Sequence, residues 1–224
     1  MDRFDDVSVV ASVDESPPAP RAGRGARRAF TGVVAVVVAT GALAGAGWRA
    51  TFAEGGWENV KRHMEVNFDA VVRLTEALLP LLRGSAPSAI VNVSSTAGRV
   101  ARPGSGAYSA SKFALAGWSD ALAGEEGPNG DHVGIVLPGF ITTEGFPQKE
   151  LVENPLTRRL VSTPERGAQA IVDAGLGRKH ERYVPRPYAL AAVARVLLPP
   201  LVRLATGSKA GGKMVTRTGA MDRE

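Results

Sequence analysis

Apolar positions along this chain switch between two periods. Val33-Val34-Ala35-Val36-Val37-Val38 is an unbroken, mostly β-branched run and predicts a buried parallel strand. Residues 57–82 carry apolar side chains at helical spacing, through Val60, Met64, Phe68, Val71, Val72, Ala77 and Leu79. They predict one long helix ending near Pro80 or Gly84. A second short apolar run, Ala89-Ile90-Val91-Asn92-Val93, predicts a strand over 89–94. A Gly/Pro loop (98–106), a helix (about 106–124), a strand (132–137), a helix (about 164–175) and a short strand near Tyr183-Val184 follow. Strands alternating with helices imply an α/β fold of three layers, with a parallel sheet of about four strands and helices on both faces. The folded domain is placed at residues 30–205, between a disordered arm (1–29) and a flexible tail (206–224).

Composition narrows the classes of function. The chain has 224 residues, 44% of them hydrophobic, which suits one domain with tails. It has no Cys, so disulfides are excluded and a cytoplasmic location is permitted. His63, His132 and His180 lie far apart in sequence and make no metal-ligand spacing; each reads as a surface or incidental histidine. The net charge is +5, but the first fifteen residues are acidic and Arg21, Arg24, Arg27 and Arg28 follow in a Pro/Gly-rich stretch. With part of the positive excess in end segments and no groove-reading motif, the pattern argues against nucleic-acid binding. Residues 30–47 are uncharged and follow three arginines, which leaves open a membrane anchor or signal segment; four glycines and a marginal length argue against it. Tyr188 to Leu204 is also apolar but is interrupted by Arg195, Pro199, Pro200 and Arg203. It reads as a cover over the substrate cleft or a segment touching a membrane surface.

The chemistry concentrates in Tyr108-Ser109-Ala110-Ser111-Lys112. A Tyr and a Lys four residues apart share one helix face, and the ammonium is expected to lower the phenol pKa toward a range where it exchanges protons near neutrality. Ser95 lies thirteen positions before Tyr108, at the C-terminal end of the predicted strand. Ligands of open α/β sheets bind at such strand ends.

This pattern resembles the short-chain dehydrogenase/reductase family, whose hallmark is a Ser followed by Tyr-x-x-x-Lys. Val66-Asn67 resembles the family's helix Asn, Ile90 to Ser95 its serine strand, Ala107 to Ala114 its catalytic helix, and Pro138-Gly139-Phe140-Ile141-Thr142-Thr143 its Pro-Gly-x-x-x-Thr loop. The resemblance runs from about Ala44 to about Arg195 and implies a truncated Rossmann-like fold. It implies a catalytic set of Asn67, Ser95, Tyr108 and Lys112, with Gly45, Lys112, Pro138, Gly139 and Thr143 at an NAD or NADP cofactor. In that assignment Tyr108 is the acid/base, Ser95 polarises a substrate carbonyl, Lys112 tunes the phenol and binds the nicotinamide ribose, and Asn67 holds a helix distortion and a proton-relay water. Trp48, Phe140 and Phe146 would line the substrate pocket or serve as ordinary packing.

The N-terminal part departs from the family pattern, and two placements compete. In one, Thr40-Gly41-Ala42-Leu43-Ala44-Gly45-Ala46-Gly47 is the pyrophosphate turn, residues 48–54 are the first helix, and three strands are missing after it. In the other, Ala44-Gly45 ends the family's Asn-Asn-Ala-Gly block, Trp48 to Gly56 is the family's loop into the long helix, and residues 45–56 are expected to be loop. The second needs no internal excision and is preferred; Gly45 to Asn67 then has the family spacing of 22 residues. Either way most of the cofactor-holding half is expected to be absent, and cofactor binding to be impaired. The implied activity is interconversion of a small carbonyl and alcohol. The alternative is a non-catalytic remnant or interaction protein, with homo-oligomers forming through helices 57–82 and 106–124.

Overall fold

The computed structural model describes residues 47–142, 149–155 and 157–207, and the main chain alone at 34–37 and 149–150. Four strands form a parallel sheet: β1 (Val34–Val37), β2 (Ala89–Val93), β3 (His132–Pro138) and β6 (Glu181–Val184), hydrogen-bonded in the order β1-β2-β3-β6. β2 pairs with β1 from Val34↔Ala89 to Val37↔Asn92, and with β3 from Ala89↔His132 to Val93↔Val136. A second, two-stranded sheet joins β4 (Phe140–Ile141) to β5 (Val161–Ser162). The helices are α1 (Phe52–Met64), α2 (Ala70–Gly84), α3 (Gly106–Glu126), α4 (Lys149–Glu153), α5 (Pro164–Gly175), α6 (Tyr188–Leu197) and α7 (Pro199–Gly207). This is the α/β, Rossmann-like three-layer arrangement expected, with about four parallel strands.

Side chains of a strand alternate between its two faces, and here each face meets a helical layer. On one face Ile90 and Val133 pack with Val71 and Leu82 of α2 and with Leu115 and Leu122 of α3. Ile135 and Leu137, two and four residues beyond Val133, continue that face against Ala116 of α3. On the other face Val91 and Val136 meet Ala170 and Ala174 of α5. All five residues of β2 are buried, which is why it reads as a continuous apolar run rather than an alternating one. Asn92 is the polar exception, and its Nδ2 donates to Ser119 Oγ of α3 at 2.9 Å.

The expectation of a loop over 45–56 needs correction. Residues 47–50 have no regular structure, but a turn of helix begins at Phe52. Thr51 and Glu54 form a capping box, the Glu54 carboxylate accepting from the Thr51 backbone N–H at 2.9 Å. The helix then breaks at Gly56 (φ 52°) and resumes at the sequence-expected start, Trp57. It is not continuous over 46–54, the result that would have favoured the pyrophosphate-turn placement. Between α1 and α2 the residues Glu65–Asp69 form a π-helical bulge, and α2 continues through Pro80 to Gly84. Gly45, Thr143 and Phe146, with the arm and most of the tail, lie outside the described residues.

α2 and α3 are clamped at one end by a two-bond ion pair. Arg83 donates to the buried Glu126 carboxylate through Nε at 2.8 Å and Nη2 at 2.6 Å. These bonds hold the Glu126 carboxyl below its usual range.

Two outcomes test this account. Leu115 is fully buried between α3 and β2, so Leu115→Ala should cost about 2–5 kcal/mol in chemical denaturation. The depressed Glu126 pKa adds stability that is present above the unfolded value of ~4.3 and lost as pH falls through the folded value. Glu126→Gln should therefore be less stable at pH 7 and should lose less of its remaining stability on acidification, as read by thermal unfolding against pH.

Candidate active site

The C-terminal ends of β2 and β3 and the first turns of α3 meet at one place. Ser95 stands two residues past the end of β2, and its hydroxyl is near enough to the Tyr108 phenol to pull the phenol pKa down. The same Ser95 Oγ accepts from the Ala97 N–H at 3.1 Å and lies 3.4 Å from the carbonyl oxygen of Pro138, the last residue of β3. One turn beyond Tyr108, Lys112 is completely buried. Its ammonium donates to the Val93 carbonyl at the end of β2, at 3.2 Å, and lies 5.9 Å from the centroid of the Tyr108 ring.

The loop carrying Ser95 is tied down on its other side. Ser94 Oγ donates to the Lys112 carbonyl at 3.0 Å, and Gly98 sits so close that a Cβ there would stand 2.6 Å from the same oxygen. Gly139 is similarly confined, because a side chain on it would run into the Tyr188 ring. Tyr188 itself is anchored by donation to the Leu160 carbonyl at 3.1 Å.

Burial dominates the electrostatics. It lowers the Lys112 pKa to about 7. It raises the Tyr108 phenol above its usual value, against opposing pulls from the Ser95 hydrogen bond and the positive charge of Arg102. This differs from the expectation that Lys112 lowers the phenol pKa. A buried lysine that gives up its proton near neutrality offers the phenol little charge, and Arg102 is the cation that acts on it instead.

Asn67 is buried within the π-helical bulge, and its Nδ2 donates to Ser111 Oγ at 3.1 Å while its Oδ1 is buried without a protein partner. Pro138 and Gly139 stand at the strand end, but the Gly139 N–H is taken by the Val184 carbonyl at 2.8 Å. The structure thus brings together Asn67, Ser95, Tyr108, Lys112, Pro138 and Gly139. Gly45 and Thr143 lie outside the described residues.

Two of the histidines are not the surface residues expected. His63 is fully buried; its Nδ1 pairs with the Asn59 carbonyl at 2.7 Å and its Nε2 is buried without a protein partner. Its ring stands edge-on to Trp48, at 5.2 Å, and to Tyr108, at 6.2 Å. His63 thus stands between Trp48 and Tyr108 in contact with both, and the Arg62 guanidinium carbon lies 3.2 Å from the centre of the Trp48 ring. His63 lies one helical turn before Asn67, a spacing on the predicted apolar stripe that could have exposed it. His132 is also buried, and its ring lies 4.9 Å from that of His180, so these two are neighbours in space although distant in sequence. Arg102 and Tyr188 were missed as well, because nothing in a loop sequence fixes where its side chains converge.

The family model for short chain dehydrogenases matches residues 11–153. The chain belongs to the short-chain dehydrogenase family. The matched span starts earlier than the resemblance seen from motifs alone, within the segment expected to be a disordered arm. Among curated relatives of this short-chain dehydrogenase, a 3-ketodihydrosphingosine reductase of Bacteroides thetaiotaomicron is 44% identical over 89 residues, covering 40% of this chain and 33% of the relative. A 3-dehydrosphinganine reductase of Danio rerio is 33% identical over 163 residues, covering 70% and 49%. The chain thus spans a third to a half of the length of these relatives. A short-chain dehydrogenase structure from Streptomyces avermitilis is 27% identical, with a TM-score of 0.57 over 73% of this chain and 66% of that one. A Burkholderia cenocepacia short chain dehydrogenase solved in complex with NADP superposes with a TM-score of 0.61 over 72% and 65%; at 24% identity that likeness concerns the fold.

The buried lysine gives a direct test. In the unfolded chain Lys112 keeps its proton up to pH ~10, but in the folded chain only up to about 7. Folding therefore carries a cost that is complete below pH about 7 and fades as pH rises toward ~10. Lys112→Met should raise the melting temperature at pH 7 by at least ~3 °C, and the gain should shrink by pH ~10. Scanning calorimetry across that range reads both.

Proposed function

We propose that this short-chain dehydrogenase interconverts a small carbonyl compound and its alcohol with NAD or NADP. The observation that carries the reading is the meeting of the Ser95 and Tyr108 hydroxyls at the strand ends, with the Lys112 amine buried behind them. The donor set suits a nicotinamide riboside, since a lysine amine and a phenol at one strand end can both hydrogen-bond ribose hydroxyls. Lys112 and the Pro138–Gly139 edge would hold that half of the cofactor; the occupied Gly139 N–H leaves its carbonyl and the neighbouring loop for the contact. NAD(P) supplies or accepts the hydride when bound.

The chain's own residues handle the proton and the orientation. The Ser95 hydroxyl donates to the substrate oxygen and fixes the carbonyl against Tyr108. Tyr108 gives its proton to that oxygen as charge develops on it in reduction, and takes it back from the alcohol in oxidation. Burial keeps the phenol in its protonated, donating form at neutral pH, the form needed to protonate a carbonyl oxygen. Lys112, with a pKa lowered to about 7, can restore the phenol's proton, and Ser111, which accepts from Asn67, directly precedes it on the same helix.

The preferred placement of Ala44-Gly45 leaves no pyrophosphate turn in the sequence, so weak cofactor binding is part of the proposal. The catalytic domain is assigned to residues 30–205, in a cysteine-free chain suited to the cytoplasm. Among the described residues no helix is long and apolar enough to cross a membrane. Self-association is assigned to the outer faces of α1 to α3, where Trp57, Leu81 and Phe113 are exposed.

The test is oxidation of NADPH or NADH by the purified chain with a panel of ketones and aldehydes. Tyr108→Phe should lower kcat by ~10²–10⁴-fold with the fold intact. Tight cofactor binding with no turnover, or turnover unaffected by Tyr108→Phe, would sink the reading and favour an interaction protein.

A further inference from the structure

Three of the arginines meet a carboxylate. Arg83 pairs with Glu126, Arg99 with Asp120 and Glu181, and Arg182 with Asp173. Arg102 does not; among the described residues no acidic side chain forms an ion pair with it. It comes from the loop between Ser95 and α3, is partly buried, and its guanidinium carbon lies 5.2 Å from the centre of the Phe140 ring. Its charge acts on the phenols of Tyr108 and Tyr188. Arg49, on the segment entering α1, feels the same charge as repulsion, so a second cation stands nearby. Loss of hydration pushes the Arg102 pKa down, the cost of burying a cation that has no acidic partner among the described residues.

A guanidinium has five N–H donors in a planar fork that matches two carboxylate oxygens. The Phe140 ring covers one face of that fork and uses none of its donors. The phenol that would protonate the carbonyl is within reach of the same charge.

We infer that Arg102 is the substrate-recognition residue of this site and that it selects carbonyl compounds bearing a carboxylate, an oxo acid rather than a neutral ketone. Arg102 then fixes one end of the substrate while Ser95 and Tyr108 hold its carbonyl oxygen. This deepens the oxidoreductase reading and rests on it for the carbonyl; the anion site itself can be read without turnover.

The experiment is titration calorimetry on the full chain with 2-, 3- and 4-oxo acids and with neutral methyl ketones of matched length. Arg102→Gln, Arg102→Lys and NADPH are run alongside, and circular dichroism checks the fold of each variant. At least one oxo acid should bind ~10-fold or more tighter than its neutral partner. Arg102→Gln should abolish that preference, Arg102→Lys should keep part of it, and neither should change NADPH affinity. Absence of any preference for acid in the unsubstituted chain overturns the inference even if Arg102→Gln fails to fold. An equal loss of NADPH affinity also overturns it, because the guanidinium would then serve the cofactor's phosphates. So does an equal fall in kcat for acids and neutral ketones with a shifted pH profile, because it would then serve the phenol. Oxo-acid binding that depends on Arg102 without any turnover would leave this inference standing and remove the redox reading alone.

Discussion

The burial of the Lys112 ammonium beneath the end of β2 is the constraint around which the site is built. A charged amine in a dry interior needs a fixed acceptor, and the Val93 carbonyl provides it. That bond fixes the first turns of α3 relative to the sheet. The Lys112 carbonyl in turn accepts from Ser94, which sets the turn in which Ser95 leaves the strand. Tyr108, one turn earlier on the helix, then has its hydroxyl where Ser95 can meet it. The arrangement of Ser95, Tyr108 and Lys112 is thus a by-product of how one strand end docks against one helix.

The rest of the fold supplies stiffness to that junction. β2 is central enough to be covered on both faces, by α2 and α3 on one side and α5 on the other. A strand packed in this way has little freedom to slide, because a one-residue slip would carry Asn92 onto an apolar face. The Arg83–Glu126 clamp ties the far ends of α2 and α3 together, so the π-helical bulge that carries Asn67 is held between two anchored segments.

What was legible in the sequence followed from periodicity and register. Ile90 to Val93 and Val133 to Leu137 are buried on both faces and could hardly be anything but central strands. The Ser95, Tyr108 and Lys112 spacing mapped onto a strand end and a helix face, so the local geometry carried those residues together. The Gly45-to-Asn67 spacing predicts loop at residues 52–55, although Thr51 and Glu54 stand at capping-box spacing. The roles of His63, Arg102 and Tyr188 depend on contacts between distant segments, which no local pattern encodes. The direction of the Tyr108 shift was missed for a related reason. It depends on how much water the fold excludes, and a sequence does not record depth.

Gly98 and Gly139 stand at the two ends of the cleft wall, each pressed against a neighbour that cannot yield: the α3 backbone in one case and the anchored Tyr188 ring in the other. Mutational drift at either position is closed off, since any added side chain would push apart the strand end and the helix. Variation is instead channelled into the stretch between Gly98 and α3, which holds Arg102. If the proposed reading holds, a change of substrate falls to that short loop, with Ser95, Tyr108 and Lys112 left in place behind it.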